Sequence, residues 1–108
     1  MKFDVMKAEA IYTGGGIYVY CGMTTDGQHF IADDDYWVML TNKPTMTDEL
    51  SDDDWNDMFY WEWMEANMTY QTQSEEEGQE WIRRIYDWLI ANTVTDNEIK
   101  RRRAEMEE

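Results

Sequence analysis

Between Asp26 and Glu80 this 108-residue chain carries sixteen acidic residues against one base, Lys43. That window holds a net charge of −15, the charge of the whole chain, because the eight acids and eight bases outside it cancel. Charge so concentrated repels itself and costs stability, so a fold that tolerates it must keep the carboxylates in water and is suited to meeting a basic partner. The core has to come from the aromatic and aliphatic residues between the acids. At 43% hydrophobic and 15% aromatic they are too abundant for a disordered acidic chain. The length fits one domain over residues 1–108, able to bury roughly two thirds of its unfolded surface.

Cys21 is the one cysteine, which excludes an intrachain disulfide framework. The stretch Met1 to Tyr12 lacks the apolar run of a secretory signal, and the expected compartment is the cytoplasm. No segment approaches the roughly eighteen apolar residues of a membrane span. Anionic headgroups would also repel the chain, so no membrane role is expected.

The first forty residues alternate as strands do and are punctuated by Gly14-Gly15-Gly16, Asp26-Gly27 and Asp33-Asp34. They predict a four-stranded antiparallel meander over 3–13, 16–24, 28–32 and 35–41. Asp26-Gly27 reads as a two-residue hairpin turn. In that register Thr24 faces His29 and Cys21 faces Ala32, leaving Cys21 and His29 on opposite faces.

After Pro44 the period changes to that of helices. Ser51 is a good N-cap, Leu50 and Trp55 can form a staple, and Asp52, Asp53 and Asp54 suit the positive end of a helix over 52–66. Ser74 to Glu77 is a capping box opening a second helix to about Asn92, with Trp81, Ile85, Trp88 and Leu89 on its core face. Thr95 to Glu98 repeats the box, with a Val94 to Ile99 staple. The following Lys100 to Glu108 has little apolar surface and should fray or lean on a neighbour. The fold class is therefore α+β, a four-stranded antiparallel sheet followed by two or three helices packed on one face.

Catalytic and metal chemistry find little footing. A thiol nucleophile with an imidazole base would need Cys21 and His29, which the register separates. One Cys and one His cannot supply a structural zinc site. An EF-hand loop started at Asp52 fails at Asp57, where glycine is required, and at Trp63, where the bidentate Glu belongs. Gly14-Gly15-Gly16 lacks the spacing and the Lys of a phosphate loop. No enzyme activity, cofactor or metal is expected. The tetrad Lys100-Arg101-Arg102-Arg103 is diluted by surrounding acids, which argues against direct nucleic-acid binding; it can lie solvated or pair with the acidic belt of a second copy in a homodimer.

What remains is acid interleaved with aromatics: Asp33-Asp34-Asp35-Tyr36-Trp37, and Asp52 through Glu65. Small, acidic, cysteine-poor domains of this kind resemble phage-encoded inhibitors of host defence, among them anti-CRISPR and anti-restriction proteins that mimic DNA. The text from Ile11-Tyr12 through Gly14 to Val19, and Ile31 to Asp34, is similar to that of small phage proteins. The resemblance implies a stoichiometric inhibitor in the host cytoplasm whose carboxylates occupy the basic nucleic-acid-binding cleft of a Cas or other defence nuclease. Asp33, Asp34, Asp35, Asp52, Asp53, Asp54, Asp57, Glu62 and Glu65 are the candidate charge mimics, with Tyr60 and Trp61 as apolar anchors. An immunity protein or antitoxin against a basic nuclease toxin has the same physics, and a structural or accessory protein of a mobile element is the alternative in which the acids serve solubility.

Overall fold

The structure, a computed structural model, describes residues 4–33, 35–46, 66–92 and 96–106. Five strands, β1 (Val5–Gly14), β2 (Ile17–Thr24), β3 (His29–Asp33), β4 (Val38–Thr41) and β5 (Met68–Gln71), form an antiparallel sheet in sequential order. Helices α1 (Glu75–Asn92) and α2 (Asn97–Glu105) follow. The expected α+β order holds, with a fifth strand added. Met68-Thr69-Tyr70-Gln71, which lies between the two helices expected over 52–66 and from Ser74, pairs with β4, Leu40 opposite Tyr70. The helix expected over 52–66, with Asp52, Asp53, Asp54, Asp57, Tyr60, Trp61, Glu62 and Glu65, lies outside the described residues apart from Ala66.

Two cross-strand rows line the helix-bearing face and combine large side chains with small ones. One row runs Ala10, Tyr20, Ala32, Val38, and the next runs Ala8, Gly22, Phe30, Leu40, Tyr70. Gly22 has a steric task there: a Cβ at that position would stand 2.7 Å from the tip of the Phe30 ring. Trp81, Ile82, Ile85 and Leu89 of α1 recur at helical spacing and close over these rows, fully or almost fully buried. Tyr20 and Tyr86 meet edge to face with ring centroids 5.3 Å apart and their hydroxyls 3.3 Å apart.

The opposite face is not left to solvent. Cys21, Ile31 and Met39, a third cross-strand row, are buried, as are Thr41, Thr45 and Met46 where the chain turns back after β4. The Thr45 hydroxyl donates to the Phe30 carbonyl at 2.7 Å. Central strands that are apolar on both sides read as continuous hydrophobic runs, and here the face away from α1 is buried as well.

The β2–β3 hairpin also departs from expectation. Its loop has three residues, Thr25-Asp26-Gly27, closed by Thr24 N–H donating to the Gln28 carbonyl at 2.7 Å, with Gly27 in the left-handed region at φ +86°. A two-residue turn of the expected kind needs positive φ at Asp26 as well, and Asp26 does not adopt it. The register therefore slips by one residue: Met23 faces His29 and Cys21 faces Ile31, so Cys21 and His29 share a face.

The β3–β4 loop repeats this design with a harder residue. Asp33 N–H donates to the Trp37 carbonyl, the Asp35 N–H donates to the Asp33 carboxylate at 3.0 Å, and Tyr36 takes the left-handed position at φ +63°. These contacts consume Asp35 and Tyr36, so β4 begins at Val38 instead of residue 35. The backbone of Tyr36 lies directly under α1: a Cβ on Gly78 would overlap the Tyr36 carbonyl oxygen.

The last helix does not fray. Its N-cap is Asp96, one residue later than the Thr95 box predicts, with the carboxylate accepting from Glu98 N–H at 2.8 Å and from the Tyr18 hydroxyl at 2.5 Å. Ile99 is buried beneath it. Arg102 donates to the Gly16 carbonyl and lies 5.8 Å over the Tyr18 ring, and Arg103 grips Asp87 of α1. Arg101 pairs with Glu98 and Glu105 on its own helix. The arginines of the basic tetrad thus each meet an acid within the chain.

Gly78 supplies a test in which two effects oppose. Helix propensity favours Gly78→Ala by about 1 kcal/mol. Overpacking against the Tyr36 backbone costs about 1–3 kcal/mol and is expected to win. Urea denaturation should show a destabilised variant; a stabilised one would mean that α1 does not sit on Tyr36.

Candidate functional site

The acids that the structure brings together are not quite those the sequence grouped. Thr72, two residues before the α1 N-cap, lies beside Val38: its N–H donates to the Val38 carbonyl at 3.0 Å. With Gly78 against Tyr36, this sets the first turns of α1 alongside the Asp33 to Trp37 loop. Asp33 and Asp35 therefore share one end of the molecule with Glu75, Glu76, Glu77 and Glu80. Sequence reading counted these glutamates in the charged window but did not single them out; the fifth strand, which delivers α1 to this spot, was the missing information.

The acids here divide by task. Asp33 uses its carboxylate to hold the turn. Glu77 is committed to the fold: it accepts a short hydrogen bond from the Tyr70 hydroxyl, another from Gln73 N–H at 3.1 Å and a third from the Trp81 indole at 3.4 Å. The capping box is thus modified, with Ser74 Oγ accepting from Glu77 N–H while the Glu77 carboxylate reaches one residue further back than usual. Asp35, Glu75, Glu76 and Glu80 are exposed. A shallow groove of about 630 Å³ runs among Ser74, Glu76, Glu77, Gln79, Glu80 and Arg83.

The C-terminal arginines do not neutralise this end, although Arg83 lines the groove beside Glu76 and Glu80. Arg101, Arg102 and Arg103 go to Glu98, Glu105 and Asp87, all outside the window. Arg84 lies 5.0 Å over the Trp81 ring and bridges Glu80 at 2.7 Å and Asp4 at 3.9 Å, taking one acid from each region. The positive N-terminus of α1 partly offsets Glu75, Glu76 and Glu77 in its first turn.

The Tyr70 hydroxyl first, and then the Gln73 and Trp81 donors, hold the Glu77 carboxyl below its ordinary range, while the same bond to Glu77 raises Tyr70. Asp96 is lowered chiefly by its bond from Tyr18, and Tyr18 is pushed up to about 12 by that bond and by burial. These shifts mark structural joints between helix and sheet.

Of the eleven candidate partner-binding residues, Asp33 and Asp35 are described and lie at the acidic end. Asp34, Asp52, Asp53, Asp54, Asp57, Tyr60, Trp61, Glu62 and Glu65 lie outside the described residues. Among the described residues no group of three His, Cys, Asp or Glu side chains is placed to hold a metal ion. Cys21 and His29 share a face but sit diagonally across β2 and β3, where Cβ atoms are typically about 7–8 Å apart, and Cys21 is fully buried. That geometry does not present a thiolate to a substrate. No helix among the described residues is long and apolar enough to cross a membrane. No known family model matches this chain, and no curated protein or solved structure is significantly similar to it.

The Glu77 joint predicts a pH dependence. A carboxyl whose folded pKa is depressed contributes stability that is present above its unfolded value, and loses it as pH falls through the folded value. Tyr70→Phe should cost about 1 kcal/mol at pH 7, the screened worth of a half-buried bond to a charged group. It should also flatten the decline of stability below about pH 4.5. Urea denaturation across that pH range checks both; parallel curves for the two proteins would remove Glu77 as the acid-sensitive joint.

Proposed function

We propose that this protein is a stoichiometric inhibitor whose acidic surface occupies the basic nucleic-acid-binding cleft of a defence nuclease, with a Cas nuclease the favoured target. The observation that carries the reading is the gathering of exposed Asp35, Glu75, Glu76 and Glu80 beside Asp33 at one end of the fold, while the C-terminal arginines pair with acids elsewhere. Carboxylates in such an array present negative charge without sequence information, as a phosphate backbone does. They speed encounter with a basic cleft and fix its orientation, and neighbouring Tyr and Trp side chains supply the apolar anchors that charge alone does not. Asp34, Asp52, Asp53, Asp54, Asp57, Glu62 and Glu65 extend the charge in this reading, with Tyr60 and Trp61 as anchors. The protein acts by occupancy in the host cytoplasm and turns nothing over.

Two properties separate this reading from an acidic surface that serves solubility. Binding should survive an increase from about 0.15 M to about 0.5 M salt, because the screening length shortens only about twofold and desolvated contacts persist. Binding should also compete with DNA, since both fill one cleft. The test is capture from host lysate with the tagged protein at both salts, followed by cleavage assays on the nuclease recovered. Inhibition relieved by excess DNA is the expected result. Recovery of scattered basic proteins, all lost at the higher salt, would end the proposal.

Two charge-neutral variants locate the surface. Replacing Asp52, Asp53 and Asp54 with Asn should abolish inhibition and leave the fold intact. Changing Asp35 to Asn with Glu75 and Glu76 to Gln should weaken it at least tenfold, with thermal stability nearly unchanged because repulsion relieved offsets helix-dipole stabilisation lost. Full inhibition by both variants would sink the mimicry.

A further inference from the structure

We infer, resting on the inhibitor reading above, that Arg83 is the point of the acidic surface that meets a carboxylate of the partner, one of the acids that hold the target nuclease's divalent metal ion. Arg83 lines the groove of about 630 Å³ with Glu76, Gln79 and Glu80 and is half-buried there. Its acidic neighbours at helical spacing on α1 are Glu80, three residues before it, and Asp87, four after. Both are taken, Glu80 by Arg84 at 2.7 Å and Asp87 by Arg103 at 2.5 Å. Arg101 and Arg102 pair with Glu98. Of the five arginines in the chain, Arg83 alone makes no ion pair among the described residues. The fold gives its natural partners to other cations and leaves this guanidinium to an acid from outside.

A positive group at that place weakens a surface that works by negative charge alone. Glu76, Glu80 and Arg83 follow one ridge of α1 at intervals of about 6 Å and about 4.5 Å along its axis, so the guanidinium stands in line with the carboxylates. The cleft of a metal-dependent nuclease, however, is not uniformly basic. Lys and Arg grip the phosphate backbone, whereas the reacting phosphate is held by divalent cations that Asp and Glu hold in turn. Two carboxylates followed by a guanidinium are complementary to that order, acids against the bases and Arg83 against the acids of the metal site. Arginine suits the task because its planar fork takes a carboxylate bidentately and keeps its charge.

Arg83 thereby selects among basic partners. A DNA-binding protein with no cluster of metal-binding acids sets Arg83 against a base and is disfavoured, while a nuclease is not. The nuclease's metal ion and Arg83 compete for the same carboxylates. The complex therefore forms best on the metal-free enzyme.

The test measures binding of the nuclease recovered in the capture described above to the original chain, Arg83→Gln and Arg83→Glu, at constant ionic strength, in EDTA and in excess Mg²⁺. The sign decides. If the acids act only as a field, removing a positive charge tightens binding, most of all in Arg83→Glu. If Arg83 meets a carboxylate, Arg83→Gln should weaken binding to the metal-free nuclease about tenfold or more, and Arg83→Glu further. Mg²⁺ should weaken binding of the original chain and change that of Arg83→Gln much less; cations taken up by the acids that both proteins share affect the two alike. Replacing the nuclease's metal-binding acids with Asn or Gln should erase the difference between the original chain and Arg83→Gln. Circular dichroism confirms that each variant is folded, and Gln is a good helix former. Unchanged or tighter binding by both variants, equal sensitivity to Mg²⁺, or a difference that persists against the altered nuclease would each overturn the role of Arg83 and leave the mimicry standing. Capture that yields no nuclease would remove both.

Discussion

The contact between the Tyr36 backbone and Gly78 governs how this molecule is put together, because it fixes where α1 starts and therefore what α1 covers and exposes. Both residues are locally unfavourable. A non-glycine residue at positive φ costs about 1–3 kcal/mol, and a glycine inside a helix about 1 kcal/mol. Local preference would choose neither. The burial of Trp81, Ile82, Ile85 and Leu89 beyond that contact contributes about 1.5–3 kcal/mol each, which exceeds the local cost severalfold. The helix is seated by its apolar face, and the loop beneath it adopts whatever backbone that seating requires.

That seating also determines the electrostatics. Two carboxylates roughly 8 Å apart in water repel by about 0.5 kcal/mol, so a cluster of several costs a few kcal/mol before screening. The fold offsets part of this locally: Glu75, Glu76 and Glu77 stand at the positive end of α1, and Glu77 is further held by Tyr70, Gln73 and Trp81. It does not offset it with the C-terminal arginines. Arg102 and Arg103 are used to fasten α2, whose apolar contribution is little more than Ile99 and the half-buried Met106. A short helix with so little to bury needs a polar fastening, and that use draws positive charge away from the acidic end.

The sequence made the α+β order, the strands of the meander and the extent of α1 readable, because these follow from hydrophobic period and capping. Where it misled, a single residue decided. Asp26 declined the positive φ that a two-residue turn needs, so the β2–β3 loop took a third residue and every side chain of the register changed partner. Tyr36 accepted a positive φ that sequence statistics reserve for glycine, which shortened β4. Asp96 displaced Thr95 as N-cap because Tyr18, distant in sequence, donates to it. The fifth strand is four residues long and pairs with a strand 27 residues earlier, a length and separation at which alternation carries little signal. The acidic end depended on that strand, so the charge itself was legible from sequence while its placement was not.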